Sequence, residues 1–276
     1  MMPTLHLFPI IDQHLFQLLR SLNDEDWNKP TIAGPWTVKD VTAHLLDTAM
    51  RTVGMYRDQY FGEKPEGIYS YDNLVNYLNK LNSDWVSAFK RVSPLQLIDL
   101  LETTSAVQYE QYQKLDPALP SIFSVAWAGE ESSTNAFHTA REYTEKFHHQ
   151  LQIREALGCT EVLITKTLFL PFMDTLMQGL PHTYREVKAH EGNTVQIVVS
   201  GEAGGIWQLK KHASGWKLLD KPETILSGEI TMSPSTAWKL FTKGMSIEEA
   251  QQLVEVGGDK TLALHCLQMV SVMANR

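Results

Sequence analysis

The sequence predicts an all-helical bundle followed by a smaller α+β unit. Apolar residues recur at helical spacing as far as Leu157, and Gly158 then supplies a helix stop. From Thr194 onward, short alternating segments bounded by glycine take over, as strands do. Strands set between helices after a run of helices point to an α+β second unit. The expected boundaries are 1–160 for the four-helix bundle and 161–276 for the α+β unit.

Leu15, Leu18, Leu19 and Leu22 form the apolar stripe of a first helix that ends at Asn23-Asp24. The second helix is expected from Val38 to about Tyr60, with Val41, Leu45, Ala49, Val53 and Tyr56 on one side. Thr37 is its N-cap, Asp40 completes a capping box, and Gly34-Pro35 marks the preceding turn. A third helix covers Tyr71 to Val92, carrying Leu74, Leu78, Leu81, Trp85 and Phe89. Pro94 opens a shorter helix to about Glu102, and Gln113 to Ser133 reads as loop. The fourth long helix runs from Thr134 to Leu157. Four long helices joined by loops suggest an antiparallel bundle.

In the second half, Leu163 to Gln178 reads as helix despite Pro171. Strands are expected at Thr194–Ser200, Ile206–Lys210, Gly215–Leu219 and Ile225–Met232. Ser233-Pro234 opens one further helix, and Asp259 to Met273 forms the last.

Composition narrows the function. The chain has 276 residues, 43% of them hydrophobic and 20% charged, enough to bury a substantial core. Its net charge is -8 and basic residues do not cluster beyond Lys210-Lys211, which argues against nucleic-acid binding. No apolar run is long enough to cross a bilayer, and the start lacks a signal-peptide pattern. A cytoplasmic address is the expectation. Cys159 and Cys266 stand apart from each other and outside any CxxC, so both are expected reduced.

The histidines carry more. Glu145 and His149 lie at i and i+4 on the fourth helix and project from one face. His148, at i+3 from Glu145, is an equally legal partner, and His138 and Glu142 share the same general face. His44 sits among Val41, Ala43, Leu45 and Leu46 on the second helix. A histidine from one helix and a carboxylate–histidine pair from another can hold one metal ion inside a bundle. By spacing alone Glu145–His149 also reads as a solvated surface pair, and His44 as a core histidine. Glu142 with Lys146 reads as a surface ion pair, and Arg141 as a surface charge or a guide for an anionic substrate.

Two motifs add a resemblance. Trp27-Asn-Lys-Pro-Thr-Ile-Ala-Gly-Pro-Trp-Thr-Val-Lys-Asp-Val-Thr-Ala-His44 resembles the N-terminal signature of the DinB-like superfamily, and within it the metal-binding domain of mycothiol-dependent maleylpyruvate isomerase. Glu145-Lys-Phe-His-His149, followed by Ile153-Arg-Glu-Ala-Leu-Gly158, is similar to the family's second signature. The resemblance implies metal ligands at His44, Glu145 and His149, and a divalent ion, zinc ahead of nickel or iron. Gly204-Gly-Ile-Trp207, Ile225–Thr231 and Val256-Gly-Gly-Asp-Lys260 resemble the sterol-carrier-like domain of the same isomerases. The chain departs from the family at Gln152, where an aspartate is usual. It also has no arginine between Lys188 and Asn275, where the isomerase is thought to use one for catalysis. Catalytic residues therefore stay unassigned.

The expected function is that of a metal-dependent enzyme that activates a low-molecular-weight thiol for transfer to, or isomerisation of, a small molecule. A bound thiol would be held as its nucleophilic thiolate. Two alternatives stay open. The metal could activate water in a hydrolase, for which Glu142 or His138 would have to serve as base. Or the protein binds an apolar ligand without catalysis, in a cavity lined by Trp207, Trp216, Trp238 and Phe241, residues that equally suit an ordinary core.

Overall fold

The structure, a computed structural model, describes residues 1–62 and 66–273. Six helices come first: α1 (Phe8–Ser21), α2 (Asp24–Trp27), α3 (Val38–Arg57), α4 (Tyr71–Phe89), α5 (Pro94–Gln113) and α6 (Asn135–Leu157). Next are α7 (Lys166–Leu176) and α8 (Leu180–Thr183), then β1 (Thr194–Val199), β2 (Gly205–His212), β3 (Gly215–Leu218) and β4 (Gly228–Met232). The chain continues through α9 (Pro234–Phe241), α10 (Ile247–Gln251), β5 (Glu255–Gly258) and α11 (Lys260–Leu264).

The bundle is made of α1, α3, α5 and α6. Helix α3 packs against α5 and α6, and α1 packs against the same two. Helix α4 lies outside this set against α3, burying only Val75 and Val86. The 94–113 segment, read from sequence as a short helix ending near Glu102, is thus a full bundle member of 20 residues. Its burial rhythm continues through Leu97, Leu101, Ser105, Gln108 and Tyr112, but the later positions are mostly polar. An apolar stripe therefore stops halfway along a helix that does not.

Local signals fix the two helices that matter most. Thr37 and Asp40 form the capping box at the start of α3, each side chain accepting from the other residue's backbone N–H. The turn before it is tied off by Thr31 N–H donating to Trp36 O and Val38 N–H donating to Lys29 O. Thr134 caps the start of α6, and Gly158 ends it in the left-handed region at φ 69°.

The sheet has the order β3-β2-β1-β4-β5, with β1 and β4 parallel and the other pairs antiparallel. Val195, Ile197 and Val199 of β1 point to one face, beside Trp207 and Leu209 of β2 and Ile230 and Met232 of β4. Strand β5 was not legible beforehand. Its Gly258 sits at φ +67°, and a Cβ there would come within 2.5 Å of Ser227 O. The last helix is shorter than the sequence suggests, ending at Leu264 and tightening into a 3₁₀ turn at His265–Gln268.

One apolar core runs across bundle and sheet. It joins Phe8 of α1 and Tyr143, Phe147 and Leu151 of α6 to Phe169 and Phe172 of α7, and on to the buried face of the sheet. The Phe147 and Phe172 rings stack at 4.6 Å, and Tyr143 Oη donates to Leu168 O at 2.9 Å. Trp207, Trp216, Trp238 and Phe241 all belong to this core.

Candidate metal centre

Helices α3 and α6 face each other, and the predicted side chains meet between them. His44, 6% exposed, presents its ring edge-on to His149, 8% exposed, with centroids 4.6 Å apart. Nε2 of His149 is 3.8 Å from Oε2 of Glu145. Trp36, delivered by the turn before α3, lies against His44 with ring centroids 5.0 Å apart. The i, i+4 pair is therefore not a solvated surface pair, because α6 is buried along most of its length.

The donor atoms that cluster most closely are those of Glu145, His148 and His149; His44 stands outside that cluster and reaches it through its ring contact with His149. One ligand atom each from Glu145, His148 and His149 lies within 4.8 Å of the others. Spacing had shown His148 as an alternative partner for Glu145; the fold places both histidines beside it.

Hydrogen bonds fix the ring states. His149 Nδ1 donates to Gln152 Oε1 at 2.8 Å, and His148 Nδ1 donates to Thr144 O at 2.9 Å. Each bond leaves the ring's Nε2 as the lone-pair donor, the tautomer a metal ligand needs. Gln152 thus partners the His149 ring with a neutral carboxamide, not a charge. Burial, then the neighbouring His148, pushes the His149 pKa down to about 3, and burial pushes His148 down to about 4. Burial, with His149, Arg51 and His148 nearby, holds His44 well below the ordinary value. All three imidazoles are neutral at pH 7, as metal binding requires. Burial also raises the Glu145 pKa, against the pull of His149 and Arg141.

Two buried atoms here have no hydrogen-bond partner: His44 Nδ1 and Glu145 Oε1. A buried carboxylate oxygen left unpaired is costly, and a cation removes that cost. Neutral imidazoles plus one carboxylate form a donor set suited to zinc, nickel or iron. The residues fit a divalent ion.

One turn earlier on α6, the groups hold one another. Arg141 pairs with Glu142, and its Nη2 also lies 3.2 Å from His138 Nδ1. Burial alone would raise the Glu142 pKa, but the Arg141 guanidinium and His138 bring it below the ordinary value. Burial takes His138 down to about 4. Tyr56 Oη and Arg141 Nε, both buried, have no partner, and burial pushes the Tyr56 hydroxyl up to about 12. Arg141 is thus no simple surface charge. The expected Glu142–Lys146 surface pair is absent: Lys146 turns inward, 5% exposed, and donates to Asp12 Oδ1 at 2.6 Å and Ser105 Oγ at 3.3 Å.

Neither cysteine joins the centre. Cys266 is buried in the shared core, its thiol pushed up to about 12, and Cys159 lies against Arg154 Nη1 at 3.9 Å, past the end of α6. Among the described residues no helix is long and apolar enough to cross a membrane.

Residues 8–154 match the model of the mycothiol maleylpyruvate isomerase N-terminal domain. Two solved structures share the fold: the mycothiol-dependent maleylpyruvate isomerase and a histidine-to-alanine mutant of it. Each is 11% identical, with a TM-score of 0.54 over 92% of this chain and 91% of the other. No curated protein matches the chain.

Proposed function

The chain belongs to the mycothiol maleylpyruvate isomerase N-terminal domain family, and from that premise we propose a metal-dependent enzyme that activates a low-molecular-weight thiol for transfer or isomerisation. His44, Glu145 and His149 hold the ion, zinc ahead of nickel or iron. The observation that carries this reading is the burial of donors from two distant helices in one place, with Glu145 Oε1 and His44 Nδ1 unpartnered. When bound, the ion supplies Lewis acidity that favours the thiolate over the thiol.

The chain's own residues do the rest. Gln152 holds His149 in the right tautomer, and Trp36 packs its ring against His44. The thiol must come from outside, because Cys159 and Cys266 are engaged elsewhere; mycothiol is the thiol named for the similar structures. Arg141 Nε, one turn before Glu145 on α6, and Tyr56 Oη of α3, whose ring lies near His138, are donors with nothing to bind. Maleylpyruvate itself is not carried over, since the chain has no arginine between Lys188 and Asn275.

The hydrolase reading is weaker. It needs a free general base, and Glu142 is committed to Arg141 while His138 accepts from the same guanidinium. The apolar-ligand reading loses its proposed lining to the shared core. We assign the ion-holding part to 1–160 and the α+β part to 161–276, the latter supplying apolar support beneath α6.

The test is metal analysis of the purified protein, followed by thiol-transfer assays with and without chelator. About one ion per chain and thiol-dependent turnover lost on chelation are expected. Unchanged metal content in His149→Ala would refute the assignment.

A further inference from the structure

We infer that His148 is a fourth donor to the metal, so that the centre offers three imidazoles and one carboxylate. This rests on the metal-centre reading above and extends it to a residue outside the expected set.

Consecutive residues on a helix diverge by about 100°, so His148 and His149 would ordinarily serve different faces. Here they do not. Their ring centroids are 4.0 Å apart at an interplanar angle of 38°, and both offer a ligand atom within 4.8 Å of Glu145 and of each other. The site therefore lies beside α6 between the two side-chain directions, where both rings reach it.

The chemistry of the ring agrees. His148 Nδ1 donates to the backbone carbonyl of Thr144, one turn back on its own helix. A backbone carbonyl is a recognised outer partner of metal-ligating histidine, fixing the tautomer and aiming Nε2. His149 has the same arrangement through Gln152. His148 is only 4% exposed, so the ring is not simply a solvated polar residue. Nothing in the apolar core requires an imidazole at this position: the aromatic neighbour of His148 is the other histidine.

A four-donor set changes what the centre can do. Three protein ligands leave an open position, and four fill a tetrahedron. An incoming thiol must then compete with His148 for its place. Replacing His148 should weaken the hold on the metal and ease entry of the thiol.

The experiment uses the full chain stripped with chelator and titrated with Co²⁺, read by visible absorption. Wild type is compared with His148→Gln and His149→Ala, with helical content checked by circular dichroism. Gln at 148 keeps an amide donor for Thr144 O. His148→Gln should lower Co²⁺ affinity roughly 10-fold or more, at least the loss seen on removing an outer partner, and change the visible band. It should also show a thiolate-to-Co²⁺ band at lower concentrations of added 2-mercaptoethanol than wild type. Wild-type affinity and spectrum in His148→Gln, with both lost in His149→Ala, would overturn the fourth donor and leave the metal centre standing. Wild-type binding in His149→Ala overturns the centre itself. X-ray absorption of the Zn²⁺-loaded wild type decides the matter without any variant: three imidazole scatterers support the inference and two refute it.

Discussion

Acid should unfold the metal-free chain well before its carboxylates are fully protonated. Chief among the groups responsible are His138, His148 and His149, whose folded pKa values lie at about 4, 4 and 3 against 6.5 when free, and buried His44, held well below its ordinary value, acts in the same direction. Between those limits the unfolded chain takes up protons and the folded chain does not. Stability is thus complete above pH 6.5, falls as pH drops below it, and levels off only below the folded values. Each histidine contributes a slope of ~1.4 kcal/mol per pH unit, or ~2 kcal/mol lost by pH 5. The three together lose ~6 kcal/mol, comparable with the whole stability of many domains. Glu145 works the other way, because its raised pKa lets the folded state accept a proton first. That one group offsets only part of the loss. The assay is urea unfolding followed by circular dichroism at pH 7, 6 and 5 with excess chelator. The midpoint should fall steeply with pH, and His138→Gln, which removes one titrating ring remote from the ion, should flatten the slope by ~1.4 kcal/mol per unit. A midpoint that is the same at pH 7 and pH 5 would show that these rings are not held neutral by burial.

Two further outcomes follow from other contacts. Lys146→Ala leaves Asp12 charged and buried without its partner; it should cost ~3–5 kcal/mol, whereas Lys146→Met combined with Asp12→Leu should recover most of that, both read by thermal denaturation. Gln152→Ala removes the acceptor for His149 Nδ1; zinc affinity measured against a competing chelator should drop ~10–100-fold, and Gln152→Glu should retain it.

The parts of the fold that could be read in advance are those with local causes. The start of α3 lies in Thr37 and Asp40, which satisfy each other's backbone N–H without help from elsewhere. The end of α6 lies in the left-handed Gly158. The Glu145–His149 pairing comes from helical spacing alone, and the link to His44 came from the motifs around it. The misreadings share one cause. Helix α5 buries Ser105, Gln108 and Gln111, so its second half has no apolar stripe to follow. Strand β5 has no alternation, and exists because Gly228 and Glu229 of β4 offer it a ladder. Lys146 was expected in water because nothing near it in sequence announces Asp12, 134 residues away.

The sequence by itself determined where the principal helices begin and end, and which side chains share a turn, because backbone capping and the 3.6-residue repeat act over a few residues. Only the tertiary structure decided that His44 meets His149, that His148 joins Glu145, and that Lys146 is buried. Those outcomes depend on which faces of α3, α5 and α6 are turned inward. That is set by the packing of Phe147 and its neighbours against α7, at distances along the chain that no local pattern spans.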